Sequence, residues 1–155
     1  MIKINVITKN INWFRYIKNP SNYLDRKIVK LNSKDKELKK KNFFFTLLLS
    51  DSKHIKFLNK KFRNKNKVTD ILSFPFQTEN DLKIKLKKEK EIYLGDIIIN
   101  LNKVRSKKEL KNFKIEFDLL WIHGLVHLFG YDHKKEKDFL KMHKVEKKYF
   151  CYIND

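Results

Sequence analysis

Residues 123–133 form the sequence His123-Gly124-Leu125-Val126-His127-Leu128-Phe129-Gly130-Tyr131-Asp132-His133, which contains three of the five histidines in the chain. His123 and His127 are four residues apart, so on an α-helix their imidazoles lie on one face, one turn apart. Gly130 is the residue type that most readily adopts a left-handed conformation, which ends a helix and lets the chain turn back. The pattern therefore predicts that His133 approaches the other two histidines.

Three neutral imidazoles on a partly rigid frame suit a tetrahedral zinc ion with water in the open fourth position. A water held in this way is acidic enough to act as hydroxide near neutral pH. We therefore predict one Zn²⁺ per chain, bound by His123, His127 and His133. The alternative is that these are ordinary surface or core histidines, which the spacing and the following glycine disfavour.

The same spacing occurs in the zinc-protease pattern H-E-x-x-H-x-x-G-x-x-H, in which the glutamate is the general base. Gly124 stands at the position of that glutamate. A zincin-like metallohydrolase or peptidase that acts on peptides or another small substrate therefore stays open as a hypothesis, although it would lack its base. A binding protein with a structural zinc is a third option, weakened because three ligands leave one coordination position open.

The length favours a single domain over residues 1–155. The three histidines would make it a metal-dependent hydrolase domain. The lone Cys151 cannot form an internal disulfide, and the longest apolar run, residues 43–49, is too short to span a bilayer. We expect a cytoplasmic protein without a membrane partner. The net charge of +19 indicates a polyanion partner such as a nucleic acid, but a bias of the source genome toward A- and T-rich codons would give the same charge, and both interpretations stay open.

Hydrophobic periodicity predicts alternating strands and helices. Strands are expected at residues 2–7, 43–49, 68–76 and 92–100, with Pro75 at a sheet edge or a strand end. Helices are expected to end near residue 35, to start after Ser50 or Asp51, and to span about residues 114–129 and 134–152. Residues 77–91 are expected to form a charged loop or hairpin.

This order of elements favours an α+β (mixed α/β) fold, with a small, mostly parallel sheet that has one antiparallel strand and packs against helices. The helix at residues 114–129 is apolar nearly all round, which predicts that it is buried on the sheet in a zincin-like arrangement. Burial of this helix would fix the geometry of His123 and His127. Phe62 and Phe139 are expected to face inward from their own helices, and residues 43–49 to be covered on both faces.

The string from His123 to His133 resembles the signature of the YbeY family of bacterial metal-dependent endoribonucleases, the rRNA maturation factors. A second block of that family is similar to Leu58-Asn59-Lys60-Lys61-Phe62-Arg63-Asn64-Lys65 followed by Thr69-Asp70-Ile71-Leu72-Ser73-Phe74-Pro75, and a third resembles Leu94-Gly95-Asp96-Ile97. Asn64 and Val68 stand where the family more often has Gly and Pro. The resemblance extends over about residues 43–149.

The resemblance implies a single-strand-specific, zinc-dependent endoribonuclease that helps to mature the 3′ end of 16S rRNA and acts in ribosome quality control. Its partners would be the 16S rRNA precursor and the ribosome or small subunit. The zinc-binding histidines of the family carry over onto His123, His127 and His133, and its functionally important arginine carries over onto Arg63.

The chemistry of the side chains suggests a role for each candidate residue. We expect Arg63 and His123 to be catalytic, with Arg63 also binding substrate, because a guanidinium can hold a phosphate through two parallel hydrogen bonds. The alternative for Arg63 is an ion pair with a surface carboxylate. Asp132 is expected either to orient a ligand imidazole or to cap the turn. Arg63 should face the same cleft as the three imidazoles if it acts with the metal.

Overall fold

Four β-strands and five α-helices make up the computed structural model, which describes residues 1–155. The strands are β1 (Ile2–Thr8), β2 (Asn42–Ser50), β3 (Ile71–Pro75) and β4 (Glu91–Asn100). The helices are α1 (Pro20–Lys34), α2 (Ser52–Arg63), α3 (Glu79–Lys88), α4 (Leu110–Leu128) and α5 (Glu136–Asn154). None of these helices combines the length and the apolar character that crossing a membrane requires.

The strands form one sheet in the order β1-β2-β4-β3. Strands β1, β2 and β4 run parallel, and β3 pairs antiparallel with β4. The predicted mixed α/β architecture, a mostly parallel sheet with one antiparallel strand, is confirmed. β3 lies at the edge and ends at Pro75, as expected, and an edge position suits a proline because it has no N–H group to donate. The N–H of the next residue, Phe76, still donates to the carbonyl oxygen of Leu94 on β4 (2.8 Å).

Helices cover the two faces of the sheet unequally. One face packs against α1 and α4, and α5 packs against both of these helices. The other face contacts α2, where Ile55 packs on Leu72 and Ile98. Because side chains alternate along a strand, Ile97 points toward α4 while its neighbour Ile98 points toward α2.

The helix that bears two of the histidines, α4, is buried over most of its surface as predicted, but Ile115 and Leu119 are 39% and 48% exposed. It begins four residues earlier than the pattern suggests. Its buried Asp118 accepts hydrogen bonds from the Tyr23 hydroxyl (3.0 Å) and from Nε1 of Trp121 (2.9 Å). The Nζ atom of Lys27 lies 2.9 Å from the same carboxylate. These partners compensate the buried charge and attach α4 to α1.

Gly124 lies where α4 comes closest to the sheet. A Cβ atom at this position would be 2.8 Å from Cγ2 of Ile97 and 3.1 Å from Cδ1 of Ile71. Both distances are well below the roughly 3.5–4.0 Å of favourable carbon–carbon contacts. The packing of α4 on β3 and β4 thus leaves no room for a side chain at position 124. This accounts for a glycine where the protease pattern has glutamate.

Residues 79–88, predicted as part of a loop or hairpin, instead form α3. Thr78 caps this helix by accepting a hydrogen bond from the backbone N–H of Asp81 (3.1 Å), and Leu82 is buried. A cap of this kind stabilises the first turn of a helix. The many charged residues make the helical pattern hard to recognise in the sequence. The prediction of a loop was wrong because only one residue of the helix is fully buried.

Two predictions about packing were also wrong. Phe62 and Phe139 are 60% and 51% exposed, because Phe62 lies in the last turn of α2 and Phe139 in the first turn of α5, beyond the packed parts of both helices. Strand β2 is fully buried on one face but only half-buried on the other, because α2 covers only part of that face.

Gly124→Val should lower the free energy of unfolding by about 2 kcal/mol, because the added methyl groups would overlap Ile97 and Ile71 in a packed interface. Valine has a higher helix propensity than glycine, so the loss would come from packing. The control, Lys111→Val on an exposed part of α4, should change stability by less than about 0.5 kcal/mol. Urea unfolding followed by circular dichroism measures both. A Gly124→Val protein as stable as the parent would show that the contact can relax.

Candidate metal centre

The three predicted ligands come together at the C-terminal end of α4. One nitrogen from each of His123, His127 and His133 lies within 4.8 Å of the other two. The Nε2 atoms of His123 and His127 are 3.1 Å apart. Two imidazole nitrogens bound to one tetrahedral zinc ion are separated by about 3.3 Å, given zinc–nitrogen bonds of about 2.0–2.1 Å. This spacing fits zinc ligation.

The turn that returns the chain to the metal centre is built around Gly130. Its φ of 87° is in the left-handed region, as the sequence predicts. The N–H of Gly130 donates to the carbonyl oxygen of His127 (2.9 Å), and the N–H of Tyr131 donates to that of Val126 (3.3 Å). These two bonds form a Schellman motif, which satisfies the last carbonyls of α4 and directs the chain toward His133.

The imidazole of His127 is oriented by the same turn. Its Nδ1 atom lies 2.9 Å from the carbonyl oxygen of Tyr131. A carbonyl oxygen only accepts hydrogen bonds, so Nδ1 carries the proton and Nε2 keeps its lone pair. Burial, followed by the nearby positive charge that His123 can carry, lowers the pKa of His127 below its usual value. Both effects favour the neutral imidazole that a metal requires.

The imidazole of His123 is oriented by Glu146 of α5. The Oε1 atom of Glu146 accepts a hydrogen bond from Nδ1 of His123 at 2.7 Å. This hydrogen bond is the main cause of the lowered pKa of the Glu146 carboxyl. Since the carboxylate is a pure acceptor, Nδ1 carries the proton and the lone pair of His123 is also on Nε2.

Two lone pairs therefore face each other between His123 and His127 at 3.1 Å. This arrangement is repulsive unless a cation lies between them and accepts both. His133 supplies a third donor from the returning chain. The donor set of three imidazole nitrogens, with the remaining side open to the cleft, fits zinc.

Glu146 was not identified from the sequence, although a signal was present. It is an acidic residue on the inner side of α5, where Met142 and Tyr149 are buried and Val145 is half-buried. A carboxylate within an apolar helical stripe needs a partner in the protein. Its partner, His123, is 23 residues away in sequence, so the contact depends on how α5 packs against α4.

Asp132 makes the contacts of a turn cap. Its Oδ1 atom accepts a hydrogen bond from the backbone N–H of His133 (2.8 Å), and its Oδ2 atom lies 3.0 Å from Nζ of Lys134. The hydrogen bond from Lys134 is the main reason that the pKa of Asp132 is lowered. Of the two roles expected for this residue, these contacts match the cap, and it shapes the loop that carries His133.

The remaining histidines lie outside the cluster. His54 has its Nδ1 atom 2.8 Å from the hydroxyl oxygen of Ser50 at the start of α2. His143 lies on the exposed side of α5, with Nδ1 at 3.6 Å from Oε2 of Glu146. Neither residue is part of the group that can bind a metal.

The imidazoles line a cleft of about 920 Å³ that also contains Arg63. Nη2 of Arg63 donates to the carbonyl oxygen of Ser73 (2.7 Å), and the guanidinium carbon lies 5.4 Å from the ring centroid of Phe74. Asn64, with a φ of 54°, ends α2 in a left-handed conformation, so it takes the conformation that a glycine would take there. Arg63 is thereby held at the free edge of β3, with its remaining N–H groups available.

Fold and site together define a mixed α/β protein with a candidate three-histidine metal centre in an open cleft. The family model described as Endoribonuclease YbeY matches residues 9–154. The chain belongs to this family, which confirms the resemblance found in the sequence.

Individual relatives agree with this assignment. Endoribonuclease YbeY of Pelagibacter ubique is 41% identical over 155 residues, covering 99% of this chain and 97% of that protein. Endoribonuclease YbeY of Thermodesulfovibrio yellowstonii is 43% identical over 126 residues, covering 75% of this chain and 74% of that protein. The solution structure of TM1509 from Thermotoga maritima matches with a TM-score of 0.58 and 26% identity, over 99% of this chain and 89% of that one.

Purified protein should contain about one zinc ion per chain. His123→Ala, His127→Ala and His133→Ala should each lose most of it, because two imidazoles alone bind zinc weakly. His54→Ala is the control and should retain zinc, since His54 bonds to Ser50 instead. Elemental analysis after dialysis measures the content. Full occupancy in any two of the three ligand variants would rule out this site.

Glu146→Gln should weaken zinc affinity about 10- to 100-fold, because a neutral amide supports the Nδ1 proton of His123 less well than a carboxylate does. The fold should persist, since the change conserves shape. His143→Ala tests whether any change near Glu146 has the same effect, and it should bind zinc like the parent. Competition with a chromophoric chelator measures the affinities. Equal affinities for the parent and Glu146→Gln would exclude an orienting role.

Proposed function

We propose that this protein is a zinc-dependent endoribonuclease that cleaves single-stranded RNA. We also propose that residues 1–155 form a single domain. Membership of the endoribonuclease YbeY family supports an enzyme that hydrolyses RNA. The observation that carries the finer proposal is the position of Arg63 in the same cleft as His123, His127 and His133. A phosphate in this cleft would contact the guanidinium and the metal centre together.

A zinc ion bound by the three imidazoles would acidify a bound water and polarise a phosphoryl oxygen. Arg63 has one N–H group committed to Ser73, so its other N–H groups can bind phosphate oxygens and offset the charge that develops on them. Glu146 holds the proton on Nδ1 of His123 and keeps Nε2 directed into the cleft. In this proposal, His123 is catalytic because its Nε2 atom would bind the zinc ion.

The peptidase alternative is supported by one feature, the free edge of β3 beside the imidazoles, since an extended peptide can pair with such an edge. Two observations oppose it. Nη2 of Arg63 occupies the carbonyl oxygen of Ser73, which an added strand would need. Position 124 is a glycine, and the packing of α4 on the sheet leaves no space there for the side chain of a glutamate base. An RNA substrate uses the guanidinium instead of competing with it.

The finer target that we propose is the precursor of 16S rRNA, cleaved in the cytoplasm during maturation of the 3′ end and in ribosome quality control. The ribosome or its small subunit would present this RNA. Support for this target comes from the family resemblance of the sequence blocks around Arg63 and His123. The net charge of +19 is compatible with such a partner.

Arg63→Ala should retain zinc and fold yet cleave single-stranded RNA about 100-fold more slowly, because the developing phosphoryl charge loses its guanidinium partner. Arg63→Lys should recover only part of the rate, since an ammonium cannot form the two parallel hydrogen bonds. Single-turnover cleavage of a labelled RNA by zinc-loaded protein measures these rates.

Arg26→Ala serves as the control for Arg63, because Arg26 is exposed on α1 and bonds to the Asn22 carbonyl oxygen. It should cleave RNA like the parent. Casein incubated with the parent should stay intact. An Arg63→Ala protein that cleaves RNA at the parental rate would refute the role of Arg63, and cleavage of casein without cleavage of RNA would favour the peptidase.

A further inference from the structure

Five aromatic side chains line the sheet face that α2 covers only in part. We call them the aromatic belt: Phe62, Phe74, Phe76, Tyr93 and Phe44. Phe62 and Phe74 have ring centroids 5.6 Å apart, and Phe76 and Tyr93 have ring centroids 5.5 Å apart. Tyr93 and Phe44 are paired neighbours on β4 and β2. The belt therefore crosses the sheet from the end of α2 to the strand beside β1.

The belt is open to solvent at several points. Phe76 is 68% exposed and Phe62 is 60% exposed, while Phe44, Phe74 and Tyr93 are half-buried. Burying such side chains in the core would have been favourable by about 25 cal/mol per Å² of apolar surface. An aromatic surface with two largely exposed and three half-buried rings indicates a binding partner.

Cations lie over three of the belt rings. The Nζ atom of Lys61 is 5.3 Å from the ring centroid of Phe62, and that of Lys3 is 5.6 Å from the centroid of Phe44. The guanidinium carbon of Arg63 is 5.4 Å from the centroid of Phe74. The partner must therefore offer flat apolar surfaces to the rings and negative charge to the cations.

We propose that the aromatic belt binds the single-stranded RNA that flanks the cleaved bond, with bases stacked on the rings and phosphates near Lys3, Lys61 and Arg63. Single-stranded RNA combines exposed base faces with a phosphate at every nucleotide, so it matches both parts of this surface. A base-paired duplex does not, because its base faces are covered by stacking. This inference rests on the proposed RNA substrate.

Arg63 connects the belt to the metal centre. Its guanidinium lines the cleft with the imidazoles and also lies over Phe74. Single-stranded RNA with one phosphate bound by Arg63 can therefore continue over the free edge of β3 and reach Phe74 and Phe76. The belt would hold nucleotides outside the cleft and add affinity without touching the reacting atoms.

Asp96 determines how the strand lies on the belt. It is exposed on the same face and accepts a hydrogen bond from the Tyr93 hydroxyl at 2.6 Å. Its negative charge repels phosphates from the middle of the sheet. Bases should therefore face the sheet, and the phosphate chain should run along the side of the cations.

A tryptophan placed in the belt reports stacking directly. Trp13 and Trp121 are both fully buried, so their fluorescence gives a constant background. In Phe76→Trp, a single-stranded oligouridylate of about 12 nucleotides should quench the new tryptophan on binding. A duplex of the same length should quench it far less. Saturable RNA binding without quenching would overturn the placement of bases on Phe76.

Alanine variants test the contribution of the belt to affinity. Phe62→Ala and Phe76→Ala should each weaken binding of the oligouridylate about fivefold or more, the loss of one stacked base. Phe14→Ala, which removes a 45% exposed ring from the 3-10 helix Ile11–Arg15, is the matched control and should bind like the parent. Fluorescence anisotropy of labelled RNA measures the dissociation constants.

The outcomes separate this inference from the proposed function. If the parent cleaves RNA and both alanine variants bind it with parental affinity, the belt proposal alone is overturned. If the variants instead lose an ability of the parent to self-associate, the belt is a contact between copies of the protein, and the belt proposal is overturned as well. If the parent neither binds nor cleaves single-stranded RNA, the proposed function and the belt proposal both fail.

Discussion

The close contact between α4 and the sheet at Gly124 is the constraint on which the candidate metal centre depends. Because Gly124 has no side chain, α4 lies directly against Ile97 and Ile71. His123 and His127 occupy the neighbouring side of the helix, at the edge where the cleft opens. A larger residue would move the helix away from β3 and β4, and with it two ligands and the turn that carries the third. Gly124, which stands where a zinc protease has its glutamate base, therefore also positions the candidate metal ligands.

Ligand orientation depends on elements that are distant in sequence. Glu146 of α5 determines the proton position on His123, and the carbonyl oxygen of Tyr131 determines it on His127. Both contacts leave the Nε2 lone pairs converging, which is unfavourable until a cation is bound. The folded chain thus already arranges these side chains, and a metal ion bound there would stabilise the folded state.

Much of this could be predicted from the sequence where the determinants are local. The spacing of His123 and His127 followed by Gly130 specifies one helical face and one Schellman turn, both of which involve residues within about a turn of each other. The role of Glu146 and the packing reason for Gly124 required the structure, because each depends on a contact between elements far apart in the chain. The helix at residues 79–88 was missed for a different reason, since its charged residues concealed a capped helix with one buried leucine.

The functional significance of the positive charge depends on which cations are paired with carboxylates near the cleft. Three carboxylates line the cleft. Glu79 lies 2.6 Å from Nζ of Lys83 and Asp132 lies 3.0 Å from that of Lys134, while Asp70 accepts hydrogen bonds from the Thr69 hydroxyl and the Ile71 N–H. The guanidinium of Arg63 makes no ion pair, and its only hydrogen bond within the chain is to the carbonyl oxygen of Ser73. A codon bias of the source genome toward A and T can explain the total of +19, but it does not explain an unpaired guanidinium held between three imidazoles and an exposed aromatic surface. The placement of that one charge, more than the sum, favours a phosphodiester at this site.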